Sequence, residues 1–139
     1  MKNILITGGA GLVGTVLTQG LKDKYNVKIL DIKKADGVES HTGDISNLDS
    51  IMPAFKNIDT VVHLAGDRRV HGEWESILDN NIIGLYNIYE AARLSGVKRV
   101  IFASSQHATG GFYDVEPYSF ISKGEFEKLP NDYKPLDET

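Results

Sequence analysis

Apolar positions along the chain fall into short runs separated by amphipathic stretches. Ile4-Leu5-Ile6 marks a buried strand over residues 2–6 that runs straight into glycines. Leu12, Val13, Val16, Leu17 and Leu21 recur at helical spacing and predict a helix over roughly 11–23. Val27, Ile29, Leu30 and Ile32 mark a second strand over 26–32, and a weak third falls near 38–42. Asp44-Ile45-Ser46-Asn47 offers N-cap residues ahead of Leu48, Ile51, Met52 and Phe55, a further helix. Asp59–Leu64 is a strand rich in β-branched residues. Residues 77–94 predict a long helix with Ile82, Leu85, Tyr86, Ile88 and Tyr89 on its apolar side and Gly96 as its terminator. A fifth strand covers 97–104, and no helix or strand is predicted after Ser105.

Strands alternating with helices require crossover connections, which give a mostly parallel sheet covered by helices on both faces. The strands are continuous apolar runs, as expected when both faces are buried. The length, 139 residues, suits one domain, and 41% apolar with 24% charged residues is an ordinary globular composition. The net charge of −4 argues against a nucleic-acid or anionic-membrane surface. The absence of cysteine removes disulfides, zinc ribbons, iron–sulfur clusters and thiol nucleophiles, and suits a cytoplasmic protein. No apolar run reaches the ~18 residues of a membrane span. A composition boundary lies near Gly110-Gly111. Residues 112–139 hold half of the aromatics, three of the four prolines and the whole of the net negative charge. The expected organisation is a sheet-and-helix domain over 1–111 and a loop-rich acidic and aromatic tail over 112–139.

Thr7-Gly8-Gly9-Ala10-Gly11-Leu12-Val13-Gly14 lies between the first strand and the first helix. Gly9, Gly11 and Gly14 have the G-x-G-x-x-G spacing, with a strand before and a helix after them, as a dinucleotide-binding turn requires. Glycine lets backbone approach a phosphate closely, and the helix points free N–H groups at it. The bland alternative is a tight turn. A Walker-type loop is excluded because Thr15, not lysine, follows Gly14. Asp31, at the end of the second strand, is placed to accept hydrogen bonds from an adenosine ribose and to repel a 2′-phosphate. Lys33 and Lys34 close by pull the other way. The fold class is therefore α/β, a Rossmann-type doubly wound parallel sheet of about five strands.

These residues resemble the NAD-dependent epimerase/dehydratase family of extended short-chain dehydrogenases/reductases, over roughly residues 3–110. Thr7–Gly14 resembles its TGGxGxxG loop, which implies cofactor contacts at Gly8, Gly11, Leu12 and Val13. Gly43-Asp44-Ile45 is similar to its GDx turn, implying that Asp44 and Ile45 read the adenine. His63-Leu64-Ala65-Gly66 is similar to its HLA strand end, implying that Leu64, Ala65 and Gly66 line the nicotinamide side. Asn81-Ile82-Ile83-Gly84-Leu85-Tyr86-Asn87 resembles its NxxGTxN helix, which implies a cofactor contact at Asn81. Phe102-Ala103-Ser104-Ser105-Gln106-His107 looks most like the uronate dehydrogenase-like subgroup, which oxidises hexuronic acids to aldarolactones. There Ala103 borders the cofactor, Ser105 is the catalytic serine, and Ser105, Gln106 and His107 meet the sugar. The implied cofactor is NAD and the implied partner a small sugar or sugar acid, with a homo-oligomer as a possible assembly.

Each motif also has a plainer reading. Asp44 can cap the helix after it, His63 can be a core histidine, and Asn81 can tie helix to strand. Arg68, Arg69 and His71 match a substrate carboxylate or form a solvated loop, and His107 is as readily a loop residue. The four histidines show no ligand spacing, so no metal site is expected. Family members use Tyr and Lys four residues apart on one helix. Tyr118 and Lys123 are five apart, about 140° around a helix, and Pro117 and Gly124 make that segment a poor helix. The segment Lys134–Thr139 resembles the stretch that leads into the family's YxxxK helix. The expectation is a truncated chain, complete for binding adenosine and pyrophosphate and incomplete for catalysis. The alternative is a non-catalytic dinucleotide-binding or sensing domain.

Overall fold

In the computed structural model, residues 1–69, 71–105 and 110–135 are described. Gln106 and His107 lie outside them. The chain divides into two compact units, Met1–Ala103 and Ser104–Thr139.

The first unit is a five-stranded sheet in the order β3-β2-β1-β4-β5, every pair parallel. Its strands are β1 (Asn3–Thr7), β2 (Asn26–Asp31), β3 (Glu39–Thr42), β4 (Thr60–His63) and β5 (Arg99–Phe102). Side chains alternate across the pleat, so β1 feeds two cores. Ile4, Ile6 and Val62 face α1 (Leu12–Leu21), with Leu17, Leu21, Tyr25 and Val27 around them. Leu5, Leu30 and Val61 face the opposite side. There they meet α2 (Leu48–Ile51), the 3₁₀ turn Met52–Phe55 and the helix that ends in α4 (Gly84–Leu94). Helices on both faces make the sheet doubly wound, and the strand order reverses between β1 and β4.

The predicted helix over 77–94 is built in three parts. It runs as α3 (Trp74–Ile77), a π-helical turn (Leu78–Ile83) and α4. Its buried face also differs from the expected one. Gly84, Asn87, Ile88, Ala91 and Ala92 are buried, whereas Ile82, Tyr86 and Tyr89 are exposed. Small residues let the helix axis approach the sheet. A Cβ on Gly84 would lie 2.7 Å from the Ile45 side chain, so bulky residues turn to solvent. For α1 the correction is partial, because Leu17 and Leu21 pack on the core as expected. Leu12, Val13 and Val16 are exposed, and Gly14 and Thr18 are buried. The Asp44–Asn47 cap is narrowed to Asn47, whose side chain accepts from the Ser50 N–H at 3.2 Å.

In the second unit, α5 (Tyr118–Lys123) forms where a poor helix was expected. Pro117 stands at its N-cap and Gly124 beyond its end with φ of +74°. Both residues bound the helix rather than interrupt it. Phe112 packs edge-on against Tyr118, ring centroids 5.5 Å apart.

Candidate functional site

The carboxyl ends of β1, β2 and β4 converge at the switch point, and the chain turns tightly there. Gly8 has φ of +68°, and a Cβ on it would lie 2.7 Å from the Ala65 N. A Cβ on Gly14 would lie 2.5 Å from both the Gly8 O and the Gly9 Cα. Only glycine fits at either position, because the neighbours are backbone. The Gly11 N–H donates to the Gly8 O at 3.1 Å, closing the turn, and the Thr15 N–H donates to the Gly11 O at 2.9 Å, opening α1. Gly11, Leu12 and Val13 are exposed, and the first N–H groups of the ten-residue helix that follows have no partner within it. No acidic side chain occupies that first turn.

Asp31 reaches this loop from the end of β2. Its Oδ2 accepts from the Ala10 N–H and its Oδ1 from the Lys33 N–H, both at 3.0 Å. The carboxylate is thus fixed beside the glycine turn with lone pairs to spare. Asp44 is exposed after β3, and its Oδ1 accepts from the Ser46 N–H and hydroxyl at 2.9 and 2.8 Å. Ile45 is only 5% exposed and packs in the core, while its carbonyl accepts from Asn87 Nδ2 at 2.8 Å. Its side chain is a packing element, and Asp44 is the exposed member of the pair.

On the far side, His63 is sealed at the end of β4. Its Nδ1 lies 2.6 Å from the Thr7 hydroxyl and its ring stacks on Phe102 at 5.7 Å. Burial pushes its pKa down to about 4, so the ring is neutral at physiological pH. The Thr7 hydroxyl also accepts from the Leu64 and Ala65 N–H groups at 3.3 Å, which seats that backbone against Gly8. No sequence pattern pointed to this pair. Leu64 and Ala65 are half-buried, and Gly66 is exposed.

Asn81 clasps the next residue. Its Oδ1 accepts from the Asp67 N–H at 2.6 Å and its Nδ2 donates to the Asp67 carbonyl at 2.9 Å. Both ends of the amide are used within the chain, which is the tying role. Asp67 in turn binds Arg69 through Nε and Nη2 and accepts from the Ser76 hydroxyl at 2.6 Å. These donors hold the Asp67 carboxyl well below the usual carboxylate range. Arg68 and His71 are exposed. The only hint of the Asp67–Arg69 pair in the sequence is the two-residue spacing that lets an aspartate bond the N–H two positions on.

The Ala103 N–H donates to the His63 carbonyl at 3.1 Å and continues the β4–β5 ladder. Ser104 and Ser105 follow it in sequence and are exposed. No helix among the described residues is long and apolar enough to cross a membrane.

Residues 4–133 match the NAD dependent epimerase/dehydratase family. The chain is 40% identical over 116 residues to a uronate dehydrogenase of Pseudomonas putida, covering 79% of this chain and 42% of that protein. It is 36% identical over 107 residues to an L-arabinose 1-dehydrogenase (NAD(P)(+)) of Haloferax volcanii, covering 77% and 42%. A crystal structure of a mutant uronate dehydrogenase from Agrobacterium tumefaciens complexed with NAD matches with a TM-score of 0.71 and 38% identity. That match covers 77% of this chain and 42% of the other. The chain spans about half the length, or less, of the curated relatives it matches. With two thirds of the sequence or more aligned in each case and the glycine turn intact, the chain belongs to the NAD dependent epimerase/dehydratase family.

Proposed function

We propose that this chain is the NAD-binding part of a sugar or sugar-acid oxidoreductase of the uronate dehydrogenase kind. The observation that carries the reading is the cradle at Gly8 and Gly14, which backbone closes to any Cβ, below the free N–H groups of α1 and beside the anchored Asp31 carboxylate. A pyrophosphate fits that cradle, because those N–H groups are fixed donors aligned with the positive end of the helix dipole. In this reading Gly8, Gly11, Leu12 and Val13 hold the pyrophosphate and Asp31 accepts from the adenosine ribose. Asp44 and the Ile45 backbone meet the adenine, while Leu64, Ala65, Gly66 and Ala103 border the nicotinamide. Asn81 acts through the loop backbone that it clasps. NAD, when bound, would supply the acceptor for the hydride on the carbon that bears the reacting sugar hydroxyl. Ser105 donates a hydrogen bond to the reacting oxygen, and Gln106 and His107, both outside the described residues, orient the sugar.

Titration calorimetry with NAD and NADP tests the cofactor assignment. NAD is expected to bind more tightly, since a carboxylate beside the 2′ position repels phosphate. Asp31→Ala is expected to weaken NAD and narrow the difference. Tighter binding of NADP by the unmutated chain would overturn the role of Asp31 in favour of Lys33 and Lys34. Binding of neither would overturn the whole reading.

A further inference from the structure

We propose that Arg69 grips the carboxylate of a sugar acid end-on, with Asp67 as the positioning residue that aims it. The inference rests on the function proposed above and narrows its substrate class. Asp67 takes Nε and Nη2 of the guanidinium, the side-on mode. That leaves both N–H bonds of Nη1 and one of Nη2 with no partner among the described residues, on a side chain 58% exposed. One N–H from each of these two nitrogens lies in the guanidinium plane at its end. Such a pair matches the two oxygens of a carboxylate.

The holder is itself held. The Asp67 side chain is 7% exposed, its backbone is clasped by Asn81, and its carboxylate also accepts from Ser76. Asn80 donates to the Ser76 carbonyl at 2.9 Å, so the π-helical turn braces the cluster through two consecutive residues. A lone exposed arginine loses several rotors' worth of freedom when it binds an anion. Arg69 has already lost part of it to Asp67. The pair stands just beyond Gly66, in the loop at the carboxyl end of β4, where ligands of open α/β sheets bind. The local charge favours a monoanion. Arg69 feels Asp67 and Glu73 as well as its ligand, and these two acids disfavour a dianionic phosphate more than a carboxylate.

The test measures binding of D-glucuronate, D-glucose and glucose 6-phosphate by calorimetry, to the chain saturated with NADH and to the chain alone. Glucuronate is expected to bind at least tenfold more tightly than glucose. Arg69→Gln is expected to erase that ratio with NADH affinity unchanged, and Arg69→Lys to restore only part of it, because an ammonium lacks the planar fork. Asp67→Asn, which keeps the shape but loosens the guanidinium, is expected to lower the ratio several-fold. An unchanged ratio in Arg69→Gln would overturn the proposal. So would tighter binding of glucose 6-phosphate, or no glucuronate binding by NADH-saturated protein. Failure to bind NADH strikes the cofactor reading instead, and the measurements on the chain alone then decide the sugar question by themselves.

Discussion

At the end of β4 the His63 ring is 1% exposed, and burial moves its pKa from 6.5 to about 4. The folded state therefore binds fewer protons than the unfolded state between these values. Its contribution is complete above 6.5 and is lost as pH falls toward 4. The shift corresponds to roughly 3 kcal/mol across that window. Thermal melts are expected to be flat above 6.5 on this account and to fall below it, with His63→Gln removing much of the slope. The plain reading of His63 as a core histidine was legible from its apolar neighbours. Its partner Thr7, 56 residues away, was not, because a hydroxyl inside a glycine motif carries no mark of what it bonds. A second residue-scale expectation concerns Thr18, whose buried hydroxyl has no partner among the described residues. Thr18→Val keeps the shape and removes the unpaired group, and is expected to stabilise by about 1 kcal/mol in a urea titration.

Among the elements, α1 and α4 show what periodicity does and does not reveal. Both helices were visible in the spacing of their apolar residues. Part of the packed stripe was visible too, in Leu17, Leu21 and Ile88, but the rest was not, because Leu12, Val13 and Val16 outrank Gly14 and Thr18 in hydrophobicity yet are exposed. Contact distance decides it: Gly14 and Gly84 leave no space for a Cβ, and the helices settle on their small faces. Gly14→Ala, with backbone on two sides of the new methyl group, is expected to cost about 1–3 kcal/mol in stability and to abolish NAD binding. The π-helical turn at Leu78–Ile83 was equally hidden, since one extra residue in a turn leaves the average spacing almost unchanged. It aims Asn81 at Asp67, and Asn81→Ala strands the half-buried Asp67 N–H. The expected loss is about 1–3 kcal/mol, read by denaturation, with faster hydrogen exchange in the loop 66–69. The helix at Tyr118–Lys123 is hidden for a different reason: Pro117 and Gly124 disfavour a helix interior, yet here they stand at its two ends.

For the whole chain, the doubly wound parallel sheet and the family were legible because strand, glycine turn and helix follow one another in the order the fold demands, whereas the strand order came only with the structure. The substrate was not legible, since its recognition depends on side chains such as Arg69 whose partners lie in loops. None of the six tyrosines is followed by lysine four residues later. Without a positioned acid–base pair, NADH formation by this chain with glucuronate or galacturonate is expected to fall at least ~10²-fold below that of a full-length uronate dehydrogenase. Robust activity lost in Tyr118→Phe would show that the pair rejected on spacing works after all. The sheet order has one further consequence, in the time it takes to make the protein. β1 is the first strand of the chain and lies in the middle of the sheet, flanked by β2 and β4. Its partners in β2 follow promptly, but Ile4 pairs with Thr60. At about 5–20 residues per second a ribosome needs seconds to bridge the gap between β2 and β4. Throughout that interval the nascent chain carries a ribbon of two strands, and of three once β3 has joined β2, with β1 open along the side that β4 will take. That interval is when a chaperone or another nascent chain competes for β1.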